Sequence, residues 1–323
     1  MRLHAQRTLS MARLQQAFVA VAVLASVGFI TLALRETQAP WRLLAFSVAA
    51  LCLMPHAPIL ALECVWAAWV NRSQRSRTPL GTGGLTVAAA SAWHWLQAWV
   101  REVGHACRVF GWQQPFASAS EADVLKAGMR GVLLVHGYAC NRGFWNPWMR
   151  RLRAQGVPCM AVTLEPVWAD IGQLSPTLAA AYHQLLQGTG LPPVIVAHSM
   201  GGLVTRDMLS KGSLAAPPHA VVTLGTPHYG TLLASLANTE AARQMQMLSP
   251  WLHELAEREW AGSATDPPYA AFTCFWSNTD NIVFPANTAT LPGARNLCIP
   301  GEPHVGLAQS PRVWDEVMAL LRA

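Results

Sequence analysis

The sequence predicts an α/β fold: a mainly parallel sheet of about six strands flanked by helices, preceded by an apolar membrane anchor. Three observations carry that expectation. From Gly131 onward, short β-branched runs alternate with helical stretches, the rhythm of strand, crossover helix, strand. Most of those runs are uncharged and apolar on both alternations, as strands covered on both faces are. Two long apolar runs occupy the first 70 residues, outside that rhythm.

Composition divides the chain in the same place. Of 323 residues, 52% are hydrophobic and 12% charged, more apolar than an average soluble domain. The net charge of +6 lies wholly in residues 1–80, which hold eight arginines against Glu36 and Glu63; the rest carries fifteen basic and fifteen acidic side chains. A basic face for nucleic acid is therefore not expected on the folded part. Seven cysteines, odd in number and without paired spacing, argue against a disulfide framework and for a reducing compartment.

Residues 17–34 are uncharged and apolar. As a helix they extend about 27 Å at roughly 1.5 Å per residue, enough to span most of a bilayer core. Residues 43–70 form a second apolar run, broken by Pro55, Pro58 and Glu63. It reads as a second transmembrane helix ending or kinked at the prolines, then an interfacial segment. A cleaved signal peptide is the alternative for the first run; its length and the apolar stretch after it favour anchoring. Residues 1–70 are thus expected to form a membrane anchor of two helices. Residues 71–86, rich in Arg, Ser, Thr and Gly, read as a linker. Residues 85–110 place Trp93, Leu96, Trp99, Val100 and Val103 on one helical face, which lies on the membrane or on the folded domain.

Strands are expected at residues 132–135, 159–164, 194–197, 220–224, 271–276 and 295–299. Helices are expected at 147–154, 176–186, 202–210 and 312–321. Residues 232–268 interrupt the alternation. They are too long for a simple loop and, with Met245, Leu248, Trp251, Leu252, Leu255 and Trp260, too amphipathic for disorder. One or two inserted helices fit them.

The third strand runs into Ala197-His198-Ser199-Met200-Gly201-Gly202. A small-x-Ser-x-Gly turn between strand and helix is a nucleophile elbow: it lifts the serine oxygen above the sheet and leaves the next backbone N–H, that of Met200, facing a developing oxyanion. Ala197 stands where glycine is usual, and its methyl disfavours positive φ. Three further motifs supply partners. The first strand ends in Val135-His136-Gly137-Tyr138, where the Tyr138 N–H can be a second oxyanion donor and His136 can tie down the loop. Asp280 follows the fifth strand, where a carboxylate can orient an imidazolium. His304 follows the last strand in a loop with Gly301 and Gly306 on either side, as a general base requires. The order Ser199, Asp280, His304 is the one this architecture imposes. Glu165 is an alternate acid, ranked below Asp280, and Cys140 a competing nucleophile without an elbow.

These residues carry a resemblance. Residues 131–323 resemble the α/β-hydrolases, and within them bacterial lipases and esterases, through the His136-Gly137-Tyr138 strand end, the Ser199 elbow and Leu224-Gly225-Thr226-Pro227-His228-Tyr229-Gly230-Thr231. The resemblance implies an α/β-hydrolase fold with residues 232–268 as a helical lid. It also implies Ser199 as nucleophile, Asp280 as acid, His304 as base, and Tyr138 and Met200 as oxyanion donors. No cofactor is expected, and no acidic pair neighbours His304 in sequence for the structural calcium some lipases hold. The expected activity is hydrolysis of carboxylic esters, lipid or acyl esters among them, through an acyl-enzyme. The same triad also serves thioesterases and acyltransferases, and a non-catalytic membrane-bound binding module is the reading from another class. The expected partners are an ester or lipid substrate and the bilayer. The expected site is the bacterial inner membrane, with both ends of the hairpin and the catalytic domain on the cytoplasmic side. Arg2, Arg7 and Arg13 before the first span and Arg72, Arg75 and Arg77 after the second set that orientation.

Overall fold

Six strands make one sheet: β1 (Val132–Val135), β2 (Cys159–Ala161), β3 (Val194–His198), β4 (Ala220–Leu224), β5 (Phe272–Trp276) and β6 (Arg295–Cys298), in the order β2-β1-β3-β4-β5-β6. Every pairing is parallel, so every connection is a crossover. The computed structural model describes residues 10–35, 45–48, 50, 56–73, 88–263 and 267–323. Ahead of the sheet lie α1 (Met11–Arg35), α2 (His56–Ser73) and α3 (Ala92–Arg108). Then α4 (Asn146–Ala154) follows β1, α5 (Ile171–Thr189) follows β2, and α6 (Met200–Ser210) follows β3. Between β4 and β5 come α7 (Glu240–Gln244) and α8 (Pro250–Gly262); after β6 come α9 (His304–Leu307) and α10 (Pro311–Arg322).

Strand alternation feeds two cores. Val132, Leu134, Val194, Val196 and Val222 point to one face, where Trp148, Met149 and Leu152 of α4 and Val313, Trp314 and Val317 of α10 cover them. Leu133, Val135, Ile195 and Ala197 point to the other, against Leu174, Leu178 and Leu185 of α5 and Leu203 and Val204 of α6. Charge-free strands follow from this: a side chain on either face meets a helix.

Two expected boundaries move for local reasons. β2 ends at Ala161, short of the expected residue 164, since Leu164 N donates to His136 Nε2 (3.0 Å) rather than to the sheet. The helix expected from residue 176 starts at Ile171, where Asp170 caps it by accepting from Gly172 N. Pro176 cannot donate to Gly172 O. That carbonyl instead accepts from Ser175 Oγ (3.1 Å) and Lys211 Nζ (3.0 Å), so the proline sits inside the helix with its orphaned carbonyl satisfied.

Among the described residues, α1 alone is long and apolar enough to cross a membrane, with a mean hydropathy of 2.5. The second apolar run divides. Residues 43, 44, 49 and 51–55 lie outside the described residues, as does most of the expected linker, 74–86. The part of the run from His56 onward differs from a membrane span: α2 is docked on the sheet domain. Asn281 Nδ2 donates to Glu63 Oε2 (2.9 Å), Ala286 N donates to Asn71 Oδ1 (3.0 Å), and Trp66 packs edge-on to Phe284 at 5.1 Å. The polar groups Glu63 and Asn71 find partners there that a bilayer would deny them. The helix α3, capped by Ser91, is tied to α2 by Trp99 Nε1 donating to Ala57 O (2.8 Å). It passes through a π-helical turn, Val109–Gln113, before reaching Phe116.

Candidate active site

Ser199 stands between β3 and α6 with φ 55° and ψ −129°. That region disfavours a side chain, and its surroundings are built to hold it. Ser199 N donates to Leu224 O (2.9 Å), while its carbonyl accepts from Gly202 N (3.0 Å) and Thr226 Oγ1 (2.9 Å). Three glycines leave the room. A Cβ on Gly201 would lie 2.5 Å from His136 O, one on Gly202 2.2 Å from Thr226 Oγ1, and one on Gly137 2.8 Å from Ser199 Cβ. Ala197 needs no positive φ: it is an ordinary residue of β3, paired with Val135 and Thr223. The strain expected there is carried by Ser199 instead.

His304 and Asp280 meet. His304 Nδ1 lies 2.9 Å from Asp280 Oδ2, with both side chains buried. The other carboxylate oxygen accepts from Ile282 N and Val283 N, both at 2.8 Å, which fixes its aim. Nδ1 therefore carries the ring proton and Nε2 is left as the basic atom. Burial lowers the imidazole's pKa, but the charge and hydrogen bond of Asp280, with the charges of Glu102 and Glu63, outweigh it and raise the pKa above the usual 6.5. The pair lies at the end of β4, where a Cβ on Gly225 would sit 2.9 Å from Asp280 Oδ2 and 3.0 Å from His304 Nδ1. His198, next to Ser199, touches His304 directly: the ring centroids are 4.6 Å apart, and His198 Nε2 lies 3.1 Å from His304 O.

Of the two expected oxyanion donors, Met200 is the buried first residue of α6 and Tyr138 follows Gly137, where an added Cβ would lie 2.8 Å from Ser199 Cβ. Tyr138 packs edge-on to Trp168 (5.4 Å), and its hydroxyl lies 2.9 Å from Thr239 Oγ1 in the insertion. His136 is structural. Its Nε2 accepts from Leu164 N, so Nδ1 carries the proton it donates to Gly137 O (2.8 Å), and burial pushes its pKa down to about 4. Glu165 accepts from Met11 N (3.0 Å) at the start of α1, a role remote from the acid's. Burial pushes the Cys140 thiol up to about 12, opposite to what a nucleophile needs. Among the described residues no group of three or more His, Cys, Asp or Glu side chains could hold a metal ion.

Sequence reasoning passed over Glu102 and Glu63. Glu102, on α3 and buried, accepts from Val305 N at 2.9 and 3.2 Å; Asn281, held by Glu63, accepts from His304 N at 3.3 Å. A glutamate in the middle of an amphipathic helix reads as a solvated face, and no local pattern distinguishes one that is buried against a loop 203 residues away.

The insertion is helical. After a 3₁₀ turn, Leu232–Leu236, come α7 and α8, and α8 is pinned to α6 by a buried pair, Arg206 Nη2 to Glu259 Oε2 at 2.6 Å.

No curated protein matches the sequence. In fold, the chain is similar to the mature form of Bacillus licheniformis lipase BlEst2, at 19% identity and a TM-score of 0.53 over 61% of this chain and 94% of that one. It is also similar to Aspergillus fumigatus lipase B, at 18% identity and a TM-score of 0.52 over 98% of this chain and 82% of that one. The sequence model described as the alpha/beta hydrolase family matches residues 132–321, the whole sheet with the elbow, Asp280 and His304, and the chain belongs to that family.

Proposed function

We propose that this protein is a membrane-anchored serine hydrolase that cleaves carboxylic esters through an acyl-enzyme on Ser199. The observation that carries the reading is the 2.9 Å contact of His304 Nδ1 with Asp280 Oδ2 beside the strained elbow. His304 Nε2 takes the Ser199 proton as Oγ attacks the ester carbonyl. The N–H groups of Tyr138 and Met200 hold the oxyanion. Asp280 stabilises the imidazolium, which then protonates the leaving alcohol, and water repeats the attack on the acyl-enzyme. The membrane side of the reading rests on α1, whose apolar side chains, Leu24 and Val21 among them, are exposed along its length. Substrates with acyl chains suit an enzyme so placed, and residues 232–248 of the insertion, which reach Tyr138 through Thr239, suit a lid.

A fluorophosphonate probe tests the nucleophile. Labelling is expected on the full chain and not on Ser199→Ala; labelling that persists in the variant overturns the assignment. A series of p-nitrophenyl esters of rising chain length tests the substrate class. Cleavage of acetate far faster than decanoate would sink the lipid half of the reading.

A further inference from the structure

The family domain begins at β1, yet the loop that carries its base is held from outside that domain. Residues 301–305 are gripped by two consecutive residues of α3. Arg101 donates to Gly301 O and to Glu302 Oε1 (2.9 Å); Glu102 accepts from Val305 N with both oxygens, at 2.9 and 3.2 Å. The grip therefore brackets His304 in sequence. From α2, Glu63 holds Asn281, whose Oδ1 accepts from His304 N. Resting on the reading of His304 as the base, we infer that Glu102 is a positioning residue for it, and that α3 and α2 complete the active site by setting both the place and the charge of the imidazole.

The charges around the ring support this. Asp280 faces His304 from its loop, Glu63 from α2, Glu102 from α3 and His198 from β3, with the Arg101–Glu302 pair at the loop's outer end; the Cys64 thiol of α2 lies near Glu63, Glu102 and Asp280. Burial pushes the Glu102 carboxyl up to about 7, against the Val305 N–H and the His304 charge that favour its ionised form. A Gln in its place still offers an oxygen to Val305 N but no charge; an Ala offers neither.

The experiment is the pH dependence of kcat and KM on p-nitrophenyl butyrate for the full chain carrying E102Q, E102A or E102D. Loss of a neighbouring negative charge lowers the pKa of His304, so the acid limb of kcat/KM in E102Q is expected to move down by about one pH unit. E102D keeps the charge and is expected to return the limb toward the parent's. E102A is expected to lose kcat by about ten- to a hundred-fold with KM little changed, the scale of a misplaced base. An E102Q limb superimposed on the parent's, with kcat within about two-fold, overturns the inference, and this comparison stands even where E102A does not fold. Absence of ester hydrolysis by the parent chain overturns the hydrolytic reading, and activity that survives Ser199→Ala overturns Ser199 as its nucleophile, so these failures are distinct from that of the inference.

Discussion

Ser199 holds a backbone conformation of a kind that costs about 1–3 kcal/mol, and the glycines around it keep that cost bearable by admitting backbone where side chains would collide. The alanine at 197 lies outside the strained stretch, within β3 and fully buried. Ala197→Gly is therefore expected to destabilise the protein by about 1 kcal/mol through lost strand propensity, without raising kcat; thermal unfolding and ester turnover check both halves. An Ala197→Gly variant that is more stable would return the strain to that position. The proposed base gives a second test. His304 must be neutral to accept the Ser199 proton, and its pKa lies above 6.5, so kcat/KM should fall on the acid side with an apparent pKa above 6.5. At this scale the pairing of Asp280 with His304 near the elbow was legible. Ser199, Asp280 and His304 each follow a strand end, and strand ends can be read from β-branched runs. Glu102 was illegible because its meaning comes from a contact 203 residues away.

Elements show where folding energy is concentrated. The strands and crossover helices were readable because burial on both faces leaves a compositional signature; the insertion was readable as one or two amphipathic helices, but not what holds them in place. What fixes α8 is Arg206, buried on α6. It forks onto both Glu259 oxygens at 2.9 and 2.6 Å, donates to His228 O at 3.1 Å, and shares Glu259 with the Tyr269 hydroxyl. No periodicity announces a pair 53 residues apart. Removing one partner strands a buried charge, so Glu259→Ala is expected to cost about 3–5 kcal/mol. Replacing both, as Arg206→Met with Glu259→Leu, should cost clearly less, because no charge is then left buried alone. Denaturant titration of the single and double variants decides it; equal losses would show that the pair matters as packing and not as charge.

For the whole molecule, the proposed anchor raises the question of how the sheet domain would meet a bilayer. The chain leaves the domain at α1, whose first residues are tied to it: Met11 N donates to Glu165 and Gln15 Nε2 to Ala139 O, next to Tyr138. It is back against the same region at His56, whose ring lies 6.2 Å from Phe18 and 5.8 Å from Phe110. A helix of 25 residues, about 37 Å long, separates the first point from the far end of α1. The arginine distribution supports the proposal of a hairpin with both ends at the domain. Beside it, α2 turns Ile59, Leu62, Val65 and Trp69 outward, and α3 turns Trp93, Leu96 and Val100 outward, while their other faces hold Asn281 and Val305. With α1 read as an anchor, apolar stripes of this kind fit the membrane interface. On that reading the same two helices turn apolar side chains to lipid on one side and hold the His304 loop on the other. Replacing Leu62 and Trp69 together by Gln, in a chain starting at His56, should lower its partition onto anionic vesicles while leaving hydrolysis of a soluble ester within about two-fold, since neither side chain faces the site. Topology is checked separately on the full chain with its native cysteines replaced: Gln38→Cys should react with an impermeant maleimide from outside intact cells, and Ala323→Cys should not. The reverse labelling would place the catalytic domain on the outer face and overturn the hairpin orientation.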